Sequence, residues 1–197
     1  MKVLTHYLLW KLGLTHAWTF YNEAECEALE RYAAGKKRLA EIGCWQGVNT
    51  ARLRKTMSPQ GILFAVDPYS AGRLGISFPQ MIAHSEAGKI SNGTLCWVRK
   101  TDLEAAEIFK LNHEPPVDFI FSDSHNSYDG FRKTWEAWSP LIASGGIYIL
   151  ANSLPVKGRG AEEAGSVRFT REEILKDTRF LLIEEVGSFT VLKRAEK

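Results

Sequence analysis

Cysteine is scarce in this chain, and what there is does not pair. Cys26, Cys44 and Cys96 are odd in number and lack paired metal spacing, which argues against a disulfide scaffold or a zinc site and for a reducing compartment, the cytoplasm. An excess of one charge is missing too. Its 25 Lys and Arg against 23 Asp and Glu leave a net charge of +2, which is no footprint for nucleic acid. The clusters Lys36-Lys37-Arg38 and Arg52 to Lys55 read as solvated surface. Repeats, low-complexity tracts and linkers are absent, so the 197 residues are most simply one domain with a sizeable core. The apolar stretch Met1 to Leu14 is interrupted by His6 and Lys11 and offers no small-residue cleavage site. It reads as an amphipathic helix, not a signal peptide, and no membrane partner is expected. Residues 1–21 are accordingly set apart as a helical extension, packing on the domain or serving as a lid or dimer contact, and the domain proper spans 22–197.

What is present is Leu39-Ala40-Glu41-Ile42-Gly43-Cys44-Trp45-Gln46-Gly47-Val48-Asn49-Thr50, an apolar run that breaks on glycine and restarts as a helix. A strand, tight turn and helix of this kind put backbone N–H groups and the positive helix end at the rim of a parallel sheet. The spacing limits the ligand. A dinucleotide fingerprint needs glycine two positions after Gly43, where Trp45 stands, and a phosphate-cradling loop needs Lys-Ser or Lys-Thr, which do not follow Gly47. A ligand with an adenosine but no phosphate remains. Gly61-Ile62-Leu63-Phe64-Ala65-Val66-Asp67 supplies its acid, since a carboxylate ending the second strand can accept both ribose hydroxyls.

With Glu41-Ile42-Gly43 through Gly47-Val48-Asn49-Thr50 and Asp67 in place, the chain resembles the class I S-adenosylmethionine-dependent methyltransferases from about Asn22 to Leu192. Phe121-Ser122-Asp123-Ser124-His125-Asn126-Ser127-Tyr128, followed by Ser144-Gly145-Gly146, looks like the later motifs of their small-molecule O-methyltransferase group, the caffeoyl-CoA and catechol O-methyltransferase-like enzymes. The resemblance implies a Rossmann-like three-layer α/β/α sandwich whose seven-stranded, mostly parallel sheet ends in an antiparallel hairpin. It also implies S-adenosylmethionine as cofactor, held by Glu41, Gly43, Gly47, Asn49, Thr50, Asp67, Pro68, Tyr69, Thr101, Asp102 and Asp123.

The order of elements is legible in the pattern. Asn22-Glu23-Ala24-Glu25 and Thr101-Asp102-Leu103-Glu104 are capping boxes that open helices. Strands are expected at 94–98, 117–123 and 147–150, and helices at about 79–87 and 127–143, the latter ended by Ser144-Gly145-Gly146. Asn126 with Asp129 can cap that helix, and Trp135 and Trp138 on it read as core. Loops over the rim are expected at 68–78 and 151–165, a last helix capped by Thr170-Arg171-Glu172-Glu173, and two closing strands at 180–184 and 188–192.

For chemistry, methyl transfer needs an aligned acceptor and help in removing its proton. His125 is the expected general base, and the acceptor is expected between Asp123, His125, Asn152 and the loops after Asp67 and Leu150. Metal-dependent relatives close the fifth strand with Asp-Asn where this chain has Ala151-Asn152. Only Asp123, Asn152 and water are then left to hold a cation such as Mg2+, which prefers several charged oxygens. The expected reaction is methyl transfer to a hydroxyl of a small molecule. Two other readings stay open: a cofactor-binding module with an altered site, and a methyltransferase acting on nitrogen or a macromolecule, although the Asn-Pro-Pro-Tyr motif of amino-group methylation is absent. A homodimer is left open as well.

Overall fold

The computed structural model describes residues 3–72, 75–156 and 164–196. Its centre is one seven-stranded sheet ordered β3-β2-β1-β4-β5-β7-β6. The strands are β1 (Arg38–Ile42), β2 (Ile62–Val66), β3 (Thr94–Val98), β4 (Val117–Ser122), β5 (Ile142–Leu150), β6 (Phe180–Val186) and β7 (Phe189–Arg194). Neighbours from β3 through β5 pair in parallel, whereas β7 runs antiparallel to both β5 and β6. This is the Rossmann-like α/β/α sandwich with a closing hairpin that the sequence implied.

Helices α2 (Glu23–Ala33), α3 (Val48–Thr56) and α4 (Phe78–Gly88) precede β3, and α5 (Asp102–Leu111), α6 (Tyr128–Trp138) and α7 (Gly165–Glu172) follow it. Both sheet faces are covered, which is why the central strands are apolar at nearly every position. One face buries Ile42, Ile120, Trp135, Trp138 and Tyr148, and the other buries Leu39, Leu63, Phe119, Phe121 and Phe189. Strand order reverses between β1 and β4, so the connections leaving their carboxyl ends diverge and open a crevice there.

Local chemistry sets several boundaries. Asn22 Oδ1 accepts from Glu25 N–H at 2.9 Å and Asn22 N–H donates to Glu25 Oε2 at 2.7 Å, the reciprocal box that starts α2. Glu25 is fully buried, and its other oxygen accepts from the backbone and hydroxyl of Ser188 at 2.7 and 2.6 Å. One carboxylate thus ties a helix start to the turn between β6 and β7.

Three expectations are corrected. α6 stops at Trp138 because Pro140 draws the chain into a 3-10 turn, Ser139–Leu141. Ser144-Gly145-Gly146 therefore ends no helix but lies within β5, whose register against β4 shifts there, with Gly145 at φ +72°. The cap of α6 is Ser127, whose side chain accepts from Gly130 N–H, not Asn126. Thr170 lies buried inside α7 and not before it, and a 3-10 turn at Ile174–Lys176 follows. Trp135 and Trp138 are core, and the Trp138 indole N–H donates to the Asp102 carbonyl at 2.9 Å, joining α6 to the start of α5. Parts of both rim loops, 73–74 and 157–163, lie outside the described residues.

The N-terminal helix α1 (Val3–Lys11) packs on α4, with Tyr7 against Phe78 and the Trp10 indole donating to Glu86 at 2.8 Å. Among the described residues no helix is long and apolar enough to cross a membrane.

Candidate active site

The turn after β1 is built by close approach. Gly43 has φ +89°, and a Cβ on it would lie 2.3 Å from the Asp123 carbonyl oxygen, so only glycine lets β1 and β4 end side by side. Gly47, at φ +72°, meets the backbone of Ala83 on α4 in the same way. Trp45 also adopts positive φ, +44°, a conformation costly for a bulky residue. Asp67 holds it there. Its Oδ2 accepts from the N–H groups of Cys44 and Trp45, each at 3.0 Å, and its Oδ1 from Tyr69 N–H at 2.8 Å. One carboxylate oxygen offers about two lone-pair directions, so Oδ1 retains capacity for a ligand hydroxyl.

Glu41 lies beneath this turn, fully buried, and accepts from the Thr50 hydroxyl at 2.5 Å. Its Oε1 is buried with no hydrogen-bond partner, as is Asn49 Oδ1. Burial pushes the Glu41 carboxyl up to about 8. The Asn49 oxygen is a desolvated acceptor left unpaired and suits a donor-bearing ligand, whereas Glu41, raised by burial, keeps its proton at neutral pH and supports the turn from beneath through Thr50. Tyr69 contributes to the site through its backbone; its ring is buried among Cys44, Ala65 and Ala83.

A crevice of about 270 Å³ opens at the carboxyl ends of β1, β2 and β4. It is lined by Gly43, Trp45, Asp67, Pro68, Thr101, Asp102, Asp123 and His125, among others. Three carboxylates face it, and no Lys or Arg is among its lining residues. Such a lining suits a ligand with positive charge and would repel a pyrophosphate. At one end Asp102 is nearly buried, accepts from the Thr134 hydroxyl and stands 3.5 Å from His125 Nε2. Thr101 both lines the crevice and caps α5 through Glu104. Gly130 is what admits the imidazole, since a Cβ there would lie 2.9 Å from His125 Cβ.

At the other end is Asp123, which burial raises to about 6. Asn152, itself at φ +52°, donates from Nδ2 to Asp123 Oδ1 at 3.0 Å. The Tyr21 hydroxyl also hydrogen-bonds this carboxylate. Asp123 and Asn152 are therefore brought together, whereas His125 stands beside Asp102.

The donor set does not fit a divalent cation. Asn152 presents its amide N–H to Asp123, and Ala151 sits buried in the apolar cluster with Phe121 and Phe189. One carboxylate already bonded by two donors is a poor cage for an ion that takes six or more oxygens.

Sequence reasoning missed the wall formed by residues 18–21. Trp18, Phe20 and Tyr21 border a second cleft with Gly43, Trp45, Asn49 and Asp123. Phe20 stacks on Trp45 with ring centroids 4.7 Å apart. Gln46 anchors the segment, its Oε1 accepting from Trp18 N–H at 2.7 Å and lying 3.1 Å from His6 Nε2. His6 in turn stacks on Trp18 at 3.7 Å. The only signal in the sequence was the aromatic density of residues 17–21.

A sequence profile of a methyltransferase domain matches residues 40–153. No curated protein matches the chain. Among solved structures, an O-methyltransferase from Bacillus cereus in complex with S-adenosylhomocysteine has a TM-score of 0.68 at 18% identity, covering 98% of this chain and 89% of that one. TomG, an O-methyltransferase from Streptomyces achromogenes involved in tomaymycin synthesis and solved with S-adenosylmethionine, has a TM-score of 0.66 at 16% identity over 100% and 91%. The N-methyltransferase NodS from Bradyrhizobium japonicum WM9 follows the same fold at a TM-score of 0.58 and 14% identity, over 87% and 93%. At these identities the likenesses speak for the fold alone. The profile match runs from the glycine turn to past Asn152, more than half of the chain, and with it the chain belongs to the methyltransferase-domain family.

Proposed function

We propose that this protein is an S-adenosylmethionine-dependent methyltransferase that transfers a methyl group to a hydroxyl of a small molecule in the cytoplasm. The observation that carries the reading is the crevice at the β1/β4 reversal, with three carboxylates and no Lys or Arg in its lining. When bound, S-adenosylmethionine supplies an electrophilic methyl group on a cationic sulfonium. Asp67 would receive the ribose hydroxyls, Thr101 and Asp102 the adenine edge, and the unpaired Asn49 oxygen the amino-acid end, with Glu41 fixing the turn from beneath. Domain 22–197 supplies these groups, and the 1–21 extension adds one wall.

The acceptor's proton goes to Asp123. A carboxyl raised to about 6 is ionised at neutral pH yet is a stronger base than an ordinary aspartate. Tyr21 and Asn152 orient it. His125, beside Asp102, is assigned to the adenosine end instead of the base role that sequence alone favoured. No step requires a metal.

Isothermal titration with S-adenosylhomocysteine, followed by turnover on a panel of hydroxyl and amine acceptors, tests the reading. Binding with methylation of hydroxyls supports it. Binding without turnover on any acceptor would favour the altered-site binding module, and turnover on amines alone would move the reaction to nitrogen.

A further inference from the structure

β6 is the edge of the sheet beyond β7, and its centre is Leu181-Leu182-Ile183, exposed by 58, 47 and 40%. Successive strand residues point to opposite faces, so this triplet offers aliphatic surface on both sides of an edge whose outward backbone donors and acceptors face no further strand among the described residues. Sheet proteins ordinarily break such edges with charge, proline or a bulge. A bulge is present between Leu182 and Glu184, but neither charge nor proline interrupts the triplet. The opposite edge differs: the residues of β3 from Leu95 to Val98 are half-buried, and the His84 ring stacks on Trp97.

We infer that β6 is the interface of a homodimer, in which a second copy of the chain pairs antiparallel with it about a two-fold axis at Leu182. That register sets Leu181 against Ile183 of the second copy, Leu182 against Leu182, and Arg179 against Glu185, each unlike pair occurring twice by symmetry. Charge selects the same arrangement. Lys176, Arg179, Lys193 and Arg194 make the start of the hairpin basic, with Asp177 and Glu196 only partly offsetting them, while at the far end of β6 Glu185 carries the acidic charge, Glu184 being paired with Arg31 of α2 at 2.5 Å. Antiparallel pairing joins unlike ends, and parallel pairing would join like ones. An axis one residue further on, at Ile183, would set Leu182 against Glu184 and Leu181 against Glu185, so the apolar triplet fixes the register. The crevice lies at the ends of β1, β2 and β4, away from this edge, and pairing leaves it open.

Sedimentation equilibrium of the full chain over a wide concentration range tests the interface, with circular dichroism confirming that each variant is folded. The expected wild-type mass is twice the 22.2 kDa of one chain, and Leu182→Lys should sediment as a single chain. R179E or E185R alone should weaken the dimer by at least about tenfold, because each sets like charges together twice, and the R179E/E185R combination should regain it. A wild-type protein that stays at 22.2 kDa overturns the inference. So do a dimer that Leu182→Lys leaves intact, charge reversals without effect, or dissociation that follows only from Leu8→Lys on the exposed face of α1.

Discussion

Two carboxyls at the site are held away from their ordinary protonation, and both shifts have the same cause. Asp123 and Glu41 are desolvated by burial, which raises them to about 6 and about 8. The folded chain therefore binds these protons more tightly than the unfolded chain does. Their contribution to stability is fully present below the ordinary carboxylate range and is lost as pH rises, through about 6 for Asp123 and about 8 for Glu41. Thermal melts of the ligand-free protein should show the melting temperature falling as pH is raised across that window. E41Q should flatten the upper part of the fall, and a slope unchanged by E41Q would remove Glu41 as its source. For catalysis the sign is opposite, since a base must be ionised: the rate should rise with pH through about 6. D123N should lower kcat by roughly 10²–10⁴-fold, the usual contribution of a positioned base, while leaving S-adenosylhomocysteine affinity within a few-fold. Equal loss of affinity and rate in D123N would instead make Asp123 a binding residue.

At the scale of elements, the site depends on how closely strands and turns approach. Gly43→Ala would place a methyl group 2.3 Å from the Asp123 carbonyl in a left-handed conformation. It should cost about 1–3 kcal/mol for the conformation alone and abolish cofactor binding, as measured by denaturant unfolding and calorimetry. Glu25 offers a second test. Its removal in E25A would strip the N-terminus of α2 of its box partner and leave the Ser188 backbone and hydroxyl unpaired, an expected loss of about 2–4 kcal/mol in chemical denaturation. Half of that role was legible, because Asn22-Glu23-Ala24-Glu25 is a local pattern. The reach to Ser188 was not, because it joins residues 163 positions apart. The misplaced end of α6 has a similar explanation: Gly145-Gly146 serves as punctuation in a helix and as a bulge in a strand, and Pro140 decided between them.

For the whole molecule, the N-terminal segment and the domain act together through Gln46. Q46A should release Trp18 and loosen the wall of residues 18–21, raising KM for the acceptor several-fold while cofactor affinity changes little. A change confined to cofactor affinity would place the segment elsewhere in the cycle. A thermal shift with saturating S-adenosylhomocysteine should reach about 2.7 kcal/mol of added stability at a hundred times the dissociation constant. The shift should be the same with magnesium and with chelator, and a dependence on magnesium would overturn the reading of Asp123 and Asn152 as mutually bonded.

The sequence by itself determined the class of fold, the strand and glycine turn at the rim of the crevice, and the carboxylates that line it. These follow from hydrophobic period, glycine placement and capping chemistry, which act over a dozen residues or fewer. Only the tertiary structure decided that His125 stands with Asp102 while Asp123 stands with Asn152 and Tyr21. It also decided that residues 18–21 close over the glycine turn and that an aliphatic triplet is left on an open edge. Those outcomes depend on strand register and on packing between segments far apart in the chain, where the energy belongs to pairs of residues that no local pattern joins.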